Sequence, residues 1–330
     1  MFGLILLLVF VPTFLYVGLL WWLDRYEKEP VALLAAAFLW GSVPAIIMAV
    51  ILEVVLDIPI TAFSPSPLMY ELLGASVVAP VVEEMVKGFA LLTLLLFWHR
   101  EIDSPLDGLI YAGMIGFGFA AVEDVFYLLA AFDAGGVEST VSLAFFRLIL
   151  FGLNHAMYTG FTGLGVALAL ETRQRWLKFV LPALGFSLAV ATHAVHNALS
   201  TFFAYSEGFL GLCFAVVADW SGVLVLLVVA VWALYLEKRR LVQYLTAAVE
   251  SGVVDETLVP DLSSPWRRWT ARFLTLLSGD LRRWRVLKRY SHVVTEAAFD
   301  WHRWGRGDAK SKARLAAREQ ELLQLGENLG

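Results

Sequence analysis

A single cysteine, Cys213, stands in an apolar run, so the chain has neither the material for a disulfide framework nor a thiolate metal site. It also lacks a nucleotide-binding loop, any nucleic-acid motif and any internal repeat. Charge is scarce: Asp, Glu, Lys and Arg make up 17% of the chain, and most of the basic residues lie at one end. Hydrophobic residues fill the space at 59%, in runs far longer than the core helix of a soluble protein needs. That composition excludes a soluble globular enzyme and describes a polytopic membrane protein. The net charge of −5 says little, because its distribution is so uneven.

Apolar segments run at 2–23, 31–57, 70–98, 107–131, 141–171, 177–204 and 210–236. Each reaches the roughly 20 residues needed to cross a bilayer, which predicts an all-α bundle of about seven transmembrane helices over 1–236. The first segment lacks a basic n-region and a small-residue cleavage site, and reads as a retained helix rather than a signal peptide. The fifth is longer than a simple span and is expected to tilt or to extend beyond the bilayer. Pro80 is expected to kink or locally open the third helix.

Lysine and arginine are missing from alternate loops. The loops near 58–69, 132–140 and 205–209 contain none, whereas Arg25, Lys28, Arg100, Arg173, Arg175, Lys178 and Lys238-Arg239-Arg240 mark the others. The positive-inside rule then places the N-terminus outside and the C-terminus in the cytoplasm. Residues 237–330 hold 17 of the 25 basic residues. They read as a cytosolic helical tail, either a small domain or an amphipathic helix lying on an anionic leaflet.

Against this background the charges inside the spans stand out. Glu83-Glu84 lies in the middle of the third, followed by Lys87, and further polar residues are Glu53, Glu123, Asp124, Arg147, His155, His193, His196, Asn197 and Asp219. A carboxylate at the bilayer centre costs roughly 2.5–3.5 kcal/mol, so such residues face a bundle interior or a wet cavity and mark a functional site. Counting from the cytoplasmic ends puts Glu84, Glu123, His155 and His193 within about 3 Å of one level, at 1.5 Å of rise per residue. The bland reading is a buried pair held by Lys87. The sharper one is a site where carboxylates and imidazoles hold a divalent ion such as zinc, a glutamate takes a proton from water, and Asn197 or Arg147 stabilises an oxyanion. Glu83 and Glu84 are about 100° apart around the helix and cannot do the same job. A compact His-x-x-x-His pair, the strongest zinc signature, is absent.

Together, Glu83-Glu84-x-x-Lys87, Phe119-x-x-x-Glu123, His155 and His193-x-x-x-Asn197 resemble the PrsW family of intramembrane proteases. The loop Asp24-Arg25-Tyr26-Glu27-Lys28-Glu29-Pro30 fits as well, and the resemblance covers roughly residues 20–200. The family is distantly related to CAAX- and bacteriocin-processing proteases, which carry a histidine in place of Glu123. The resemblance implies an intramembrane peptidase of a bacterial cytoplasmic membrane, usually classed as a metalloprotease. It further implies Glu83, Glu84 and Asn197 as catalytic residues, and Glu123, His155 and His193 as ligands of a divalent metal, zinc in the first instance. Its substrate would be a membrane protein or peptide, such as a single-pass anti-sigma factor. The alternatives are a transporter or channel using the same polar layer for ions or protons, and a scaffold or immunity protein with a dead site. The inverted repeats common in transporters are missing.

Overall fold

Serine and proline set several helix starts. Ser104 caps the backbone N–H of Asp107, Asp107 returns the bond to Ser104, and Pro105 occupies the first turn, where its missing N–H costs nothing. The computed structural model describes residues 1–26, 28–98, 101–206 and 209–328. Glu27, His99, Arg100 and the pair Glu207-Gly208 therefore lie outside the described residues.

Thirteen helices are described: α1 (Phe2–Leu23), α2 (Val31–Trp40), α3 (Ile46–Phe63), α4 (Pro67–Leu73), α5 (Ala79–Trp98), α6 (Pro105–Ala144), α7 (Asn154–Glu171), α8 (Leu177–Ser206), α9 (Phe209–Glu250), α10 (Val259–Leu262), α11 (Pro265–Leu277), α12 (Leu281–Gly305) and α13 (Ala309–Glu327). No strand occurs among the described residues, so the fold is all-α. Wide π-helical turns at Gly41–Ala45 and Gly74–Val78 join α2 to α3 and α4 to α5, and a third, Phe145–Leu150, extends α6. The opening expected around Pro80 is the second of these turns. A proline at 80 removes the donor for the carbonyl at 76, so the helix widens just ahead of it.

Five stretches are long and apolar enough to cross a membrane: Phe2–Leu23, Val31–Ala62, Pro105–Glu171, Leu177–Ala204 and Phe209–Glu250. The expected third span is not among them, because Glu83, Glu84 and Lys87 interrupt its apolar run. The fourth and fifth fall within one 67-residue stretch. Inside it, the loop expected near 132–140 is a break at Gly136, whose φ of 69° suits glycine alone. The long fifth segment is divided at 151–153, and His155 falls in the first turn of α7.

The chain forms two compact units. The first comprises Met1–Asp24 and Glu29–Val231. Its centre is the N-terminal half of α6, nearly continuously buried from Pro105 to Ala121, against which α1, α2 and α7 pack, while α8 packs on α7. Glycines permit this closeness. A Cβ on Gly108 would lie 2.4 Å from the Gly163 carbonyl oxygen, and one on Gly163 would lie 2.1 Å from that of Gly108, so backbone touches backbone. Large side chains such as Leu7, Val54, Phe97 and Val228 point outward, as lipid-facing residues do. With these apolar helices the protein is an integral membrane protein.

The second unit comprises Arg25–Lys28 and Trp232–Gly330. Leu241, Tyr244, Leu245, Val293, Val294 and Ala297 form its core, with Tyr26 packed against them. Asp300 is fully buried and is satisfied by Arg314 at 2.8 Å and by Arg318.

Candidate functional site

Helix α5 brings in three charges on adjacent turns. Lys87 is completely buried, and its Nζ donates to Glu83 Oε2 at 3.1 Å and to Glu84 Oε1 at 2.9 Å. Its third donor reaches His155 Nδ1 at 3.0 Å, and the ammonium lies 3.9 Å from the ring centroid of Phe119 on α6. An ammonium has no lone pair to offer, so His155 Nδ1 must be the acceptor and the imidazole is neutral. Its proton then sits on Nε2, which donates to Glu123 Oε2 at 2.9 Å. His155 is in this way threaded between a cation and a carboxylate.

Glu84 is saturated. Besides Lys87 it accepts from Thr159 Oγ1 at 3.0 Å and from His193 Nδ1 at 3.2 Å, and it has no exposed surface. This fixes the His193 tautomer: with Nδ1 donating, Nε2 carries the lone pair. Nε2 lies 3.9 Å from Glu83 Oε2, and His155 Nδ1 lies 3.9 Å from the same oxygen. Tyr158 stacks on the His193 ring with centroids 4.5 Å apart, which holds the imidazole in plane.

The break at Gly136 builds the other wall. It returns the chain so that Arg147, eleven residues after it, meets Glu123 and Asp124 on the outgoing helix. Arg147 Nη2 bonds Glu123 at 2.6 Å and Nε bonds Asp124 at 2.5 Å, and the guanidinium covers the Tyr127 ring at 3.9 Å. Four carboxylates (Glu83, Glu84, Glu123 and Asp124) thus share one buried layer with two obligate cations.

Of the residues singled out in the sequence, Glu83, Glu84, Lys87, Glu123, His155 and His193 meet at this centre. Asn197 does not: its Nδ2 donates to the Ala75 carbonyl at 2.7 Å, within the widened turn ahead of Pro80. His196 turns instead to Asp219, at 2.6 Å, and Asn154 donates to Asp219 at 3.0 Å, so α7, α8 and α9 are tied together beside the centre. Thr159 and Tyr158 were not foreseen. Both are within one turn of His155 on α7, and that proximity is the only signal the sequence offers for them.

The sequence model of the PrsW family intramembrane metalloprotease matches residues 29–235. The chain belongs to the PrsW family. All the residues of the centre fall within the matched region. Similar proteins include the Protease PrsW of Geobacillus kaustophilus (strain HTA426), 30% identical over 164 residues, which are 48% of this chain and 66% of that protein. The Protease PrsW of Clostridioides difficile (strain 630) is 32% identical over 127 residues, covering 38% of this chain and 50% of that protein. That of Bacillus subtilis (strain 168) is 30% identical over 173 residues, covering 49% and 69%. The chain thus spans less than two thirds of the length of the first two of these relatives, 66% of the Geobacillus protein and 50% of the Clostridioides one. No solved structure matches this chain.

The family description raises the question of a metal. Glu83, His155 and His193 each offer a ligand atom, and the three atoms lie within 4.8 Å of one another. Carboxylate and imidazole donors suit a divalent ion, and a layer with more carboxylates than cations has charge to spare for one, so the residues fit. Glu123, expected as a ligand, lies outside that trio and is engaged by Arg147 and His155. Lys87 already holds Glu83 and His155, so an ion would compete with the ammonium for both.

Proposed function

We propose that the chain is an intramembrane peptidase that hydrolyses a peptide bond of a membrane-protein substrate, with Glu83 as general base. The observation that carries this reading is the unequal treatment of the two glutamates. Glu84 is fixed at both oxygens by Lys87, His193 and Thr159, whereas Glu83 is held by Lys87 and faces two imidazoles at 3.9 Å. That separation is too long for a hydrogen bond, so a water contacting both Glu83 Oε2 and His193 Nε2 is well placed to lose its proton to the carboxylate.

On this reading Glu84 is a positioning residue that keeps His193 with its lone pair toward the water. Glu123 accepts from His155 Nε2 and so fixes that imidazole with its Nδ1 lone pair toward Lys87, as carboxylates behind imidazoles commonly fix the tautomer. Where a divalent ion, zinc being the natural candidate, is held by Glu83, His155 and His193, Glu83 would serve as a ligand instead of the base, and the ion would lower the pKa of water toward about 7. Asn197, committed to the Ala75 carbonyl, would act as a positioning residue that holds α8 against the widened turn ahead of Pro80. The surrounding buried helices exclude bulk water, which strengthens each of these contacts. The substrate class that fits is a single-pass segment entering from the bilayer. The N-terminus lies outside and the C-terminus in the cytoplasm of a bacterial cytoplasmic membrane.

The test is co-reconstitution with a panel of single-pass transmembrane peptides, cleavage being read by mass spectrometry and metal content by elemental analysis. Wild type should cleave at least one peptide, and Glu83→Gln should assemble normally but be inactive. A Glu83→Gln/Glu84→Gln variant that cleaves at the wild-type rate would make these carboxylates structural and end the proposal.

A further inference from the structure

Helix α11 is inside out. In a soluble domain the apolar stripe of a helix faces the core and its arginines face water. Here Arg268 points inward, buried to 5% exposure, where Nε donates to the Leu262 carbonyl at 2.6 Å and Nη1 to Thr295 at 2.8 Å. The opposite face carries Trp266, Trp269, Phe273 and Leu277, spaced at three and four residues and exposed at 73%, 50%, 42% and 68%. Trp266 stacks on Trp269 at 5.3 Å and Trp269 on Phe273 at 4.9 Å, giving a continuous aromatic ridge. Leu281, at the start of α12, continues it at 52% exposure.

Basic residues accompany this ridge along the chain. Between Pro265 and Arg289 the chain has eight arginines and lysines and a single acid, Asp280. Arg267, Arg282, Arg283, Arg285 and Lys288 are exposed. Tryptophan and arginine beside an apolar strip suit the headgroup zone of a bilayer, where the ring can be half immersed and the charge meets phosphate.

Tyr26 comes three residues after the last residue of α1 and packs on the core of the second unit. Burial pushes its phenol up, while the nearby Arg268 pulls it down and Glu237, next to the end of the last apolar run, raises it. The inward side of α11 therefore lies near Tyr26 within the second unit.

We infer that α11 is an interfacial anchor whose Trp266–Leu277 ridge inserts among anionic lipids of the membrane the chain crosses, with Arg267, Arg282, Arg283 and Arg285 binding their headgroups. This inference does not depend on peptidase activity. It implies that anionic lipid fixes the position of the second unit against the bilayer.

The full chain, with Cys213→Ser and Leu277→Cys, would be spin-labelled and placed in nanodiscs of phosphatidylcholine with or without phosphatidylglycerol. Collision with oxygen reports the lipid phase, and collision with an aqueous nickel chelate reports water. In the anionic discs the label should be open to oxygen and shielded from nickel. Each arginine-to-glutamine change among Arg267, Arg282, Arg283 and Arg285 should lower the docked-to-undocked ratio about fivefold, the value of about one surface charge near an anionic leaflet. These side chains are exposed, so the variants should keep the wild-type helical signal, which circular dichroism checks. A label open to nickel in both disc types overturns the inference. A label shielded from both reagents regardless of lipid also overturns it, because a protein surface, such as a second copy, would then cover the ridge.

Discussion

Replacing Lys87 with methionine tests the centre without needing a substrate. The residue has no exposed surface and donates to Glu83, Glu84 and His155. Methionine roughly preserves the volume but leaves two buried carboxylates without their cation. Breaking a buried ion pair from one side costs about 3–5 kcal/mol, because the orphaned charge remains desolvated. At roughly 2–4 °C per kcal/mol for a domain of this size, the melting temperature should fall by about 6–20 °C. Adding Glu83→Gln and Glu84→Gln to the same chain removes the orphaned charges and should recover most of that loss. Differential scanning fluorimetry in detergent is the assay. Zinc adds a second arm: where ammonium and ion compete for Glu83 and His155, zinc should raise the melting temperature of Lys87→Met more than that of wild type. If Lys87→Met melts within 2 °C of wild type, by roughly the same scale the three contacts are worth under about 1 kcal/mol and the account of the centre is wrong.

Three further predictions follow from packing and topology. A Cβ at Gly116 would lie 2.4 Å from the His155 carbonyl oxygen, so Gly116→Ala should push the start of α7 away by about 1 Å; peptide cleavage should drop about 100-fold, the scale set by 1 Å errors, with only a modest change in melting temperature. In the second unit, Asp300→Ala removes the buried acceptor shared by Arg314 and Arg318, which keep Asp308 and Glu296 as partners, and should cost about 1–3 kcal/mol, seen as faster proteolysis of residues 250–328. Cysteines introduced at Ala62 and Ala134, in a Cys213→Ser background, should react with an impermeant maleimide from outside whole cells; labelling from the cytoplasmic face alone would invert the proposed orientation.

Several features could be read without coordinates because they depend on one dimension only. Apolar run length decides which segments belong in a bilayer, and the rise per residue places Glu84, Glu123, His155 and His193 at one height. The family was also readable, because Glu83-Glu84-x-x-Lys87, Glu123, His155 and His193-x-x-x-Asn197 keep their identity and order along the chain. Helix continuity was harder. The loop expected near 132–140 contracts to one left-handed glycine, since Gly136 alone can reverse the chain there, and the charged α5 escapes a simple hydropathy criterion.

Rotation and partner choice came only with the tertiary structure. Sequence spacing could not say that His193 looks toward Glu84 while His196, one turn away, looks toward Asp219. Nor could it say that Arg147 closes on Glu123, or that Asn197 reaches the Ala75 carbonyl. Each of these depends on how one helix is turned against the next. That angle is set by backbone contacts such as Gly108 on Gly163 and Gly116 on the His155 carbonyl. The rise per residue is a local property of any helix, whereas the direction a side chain faces is decided by the neighbour it packs against.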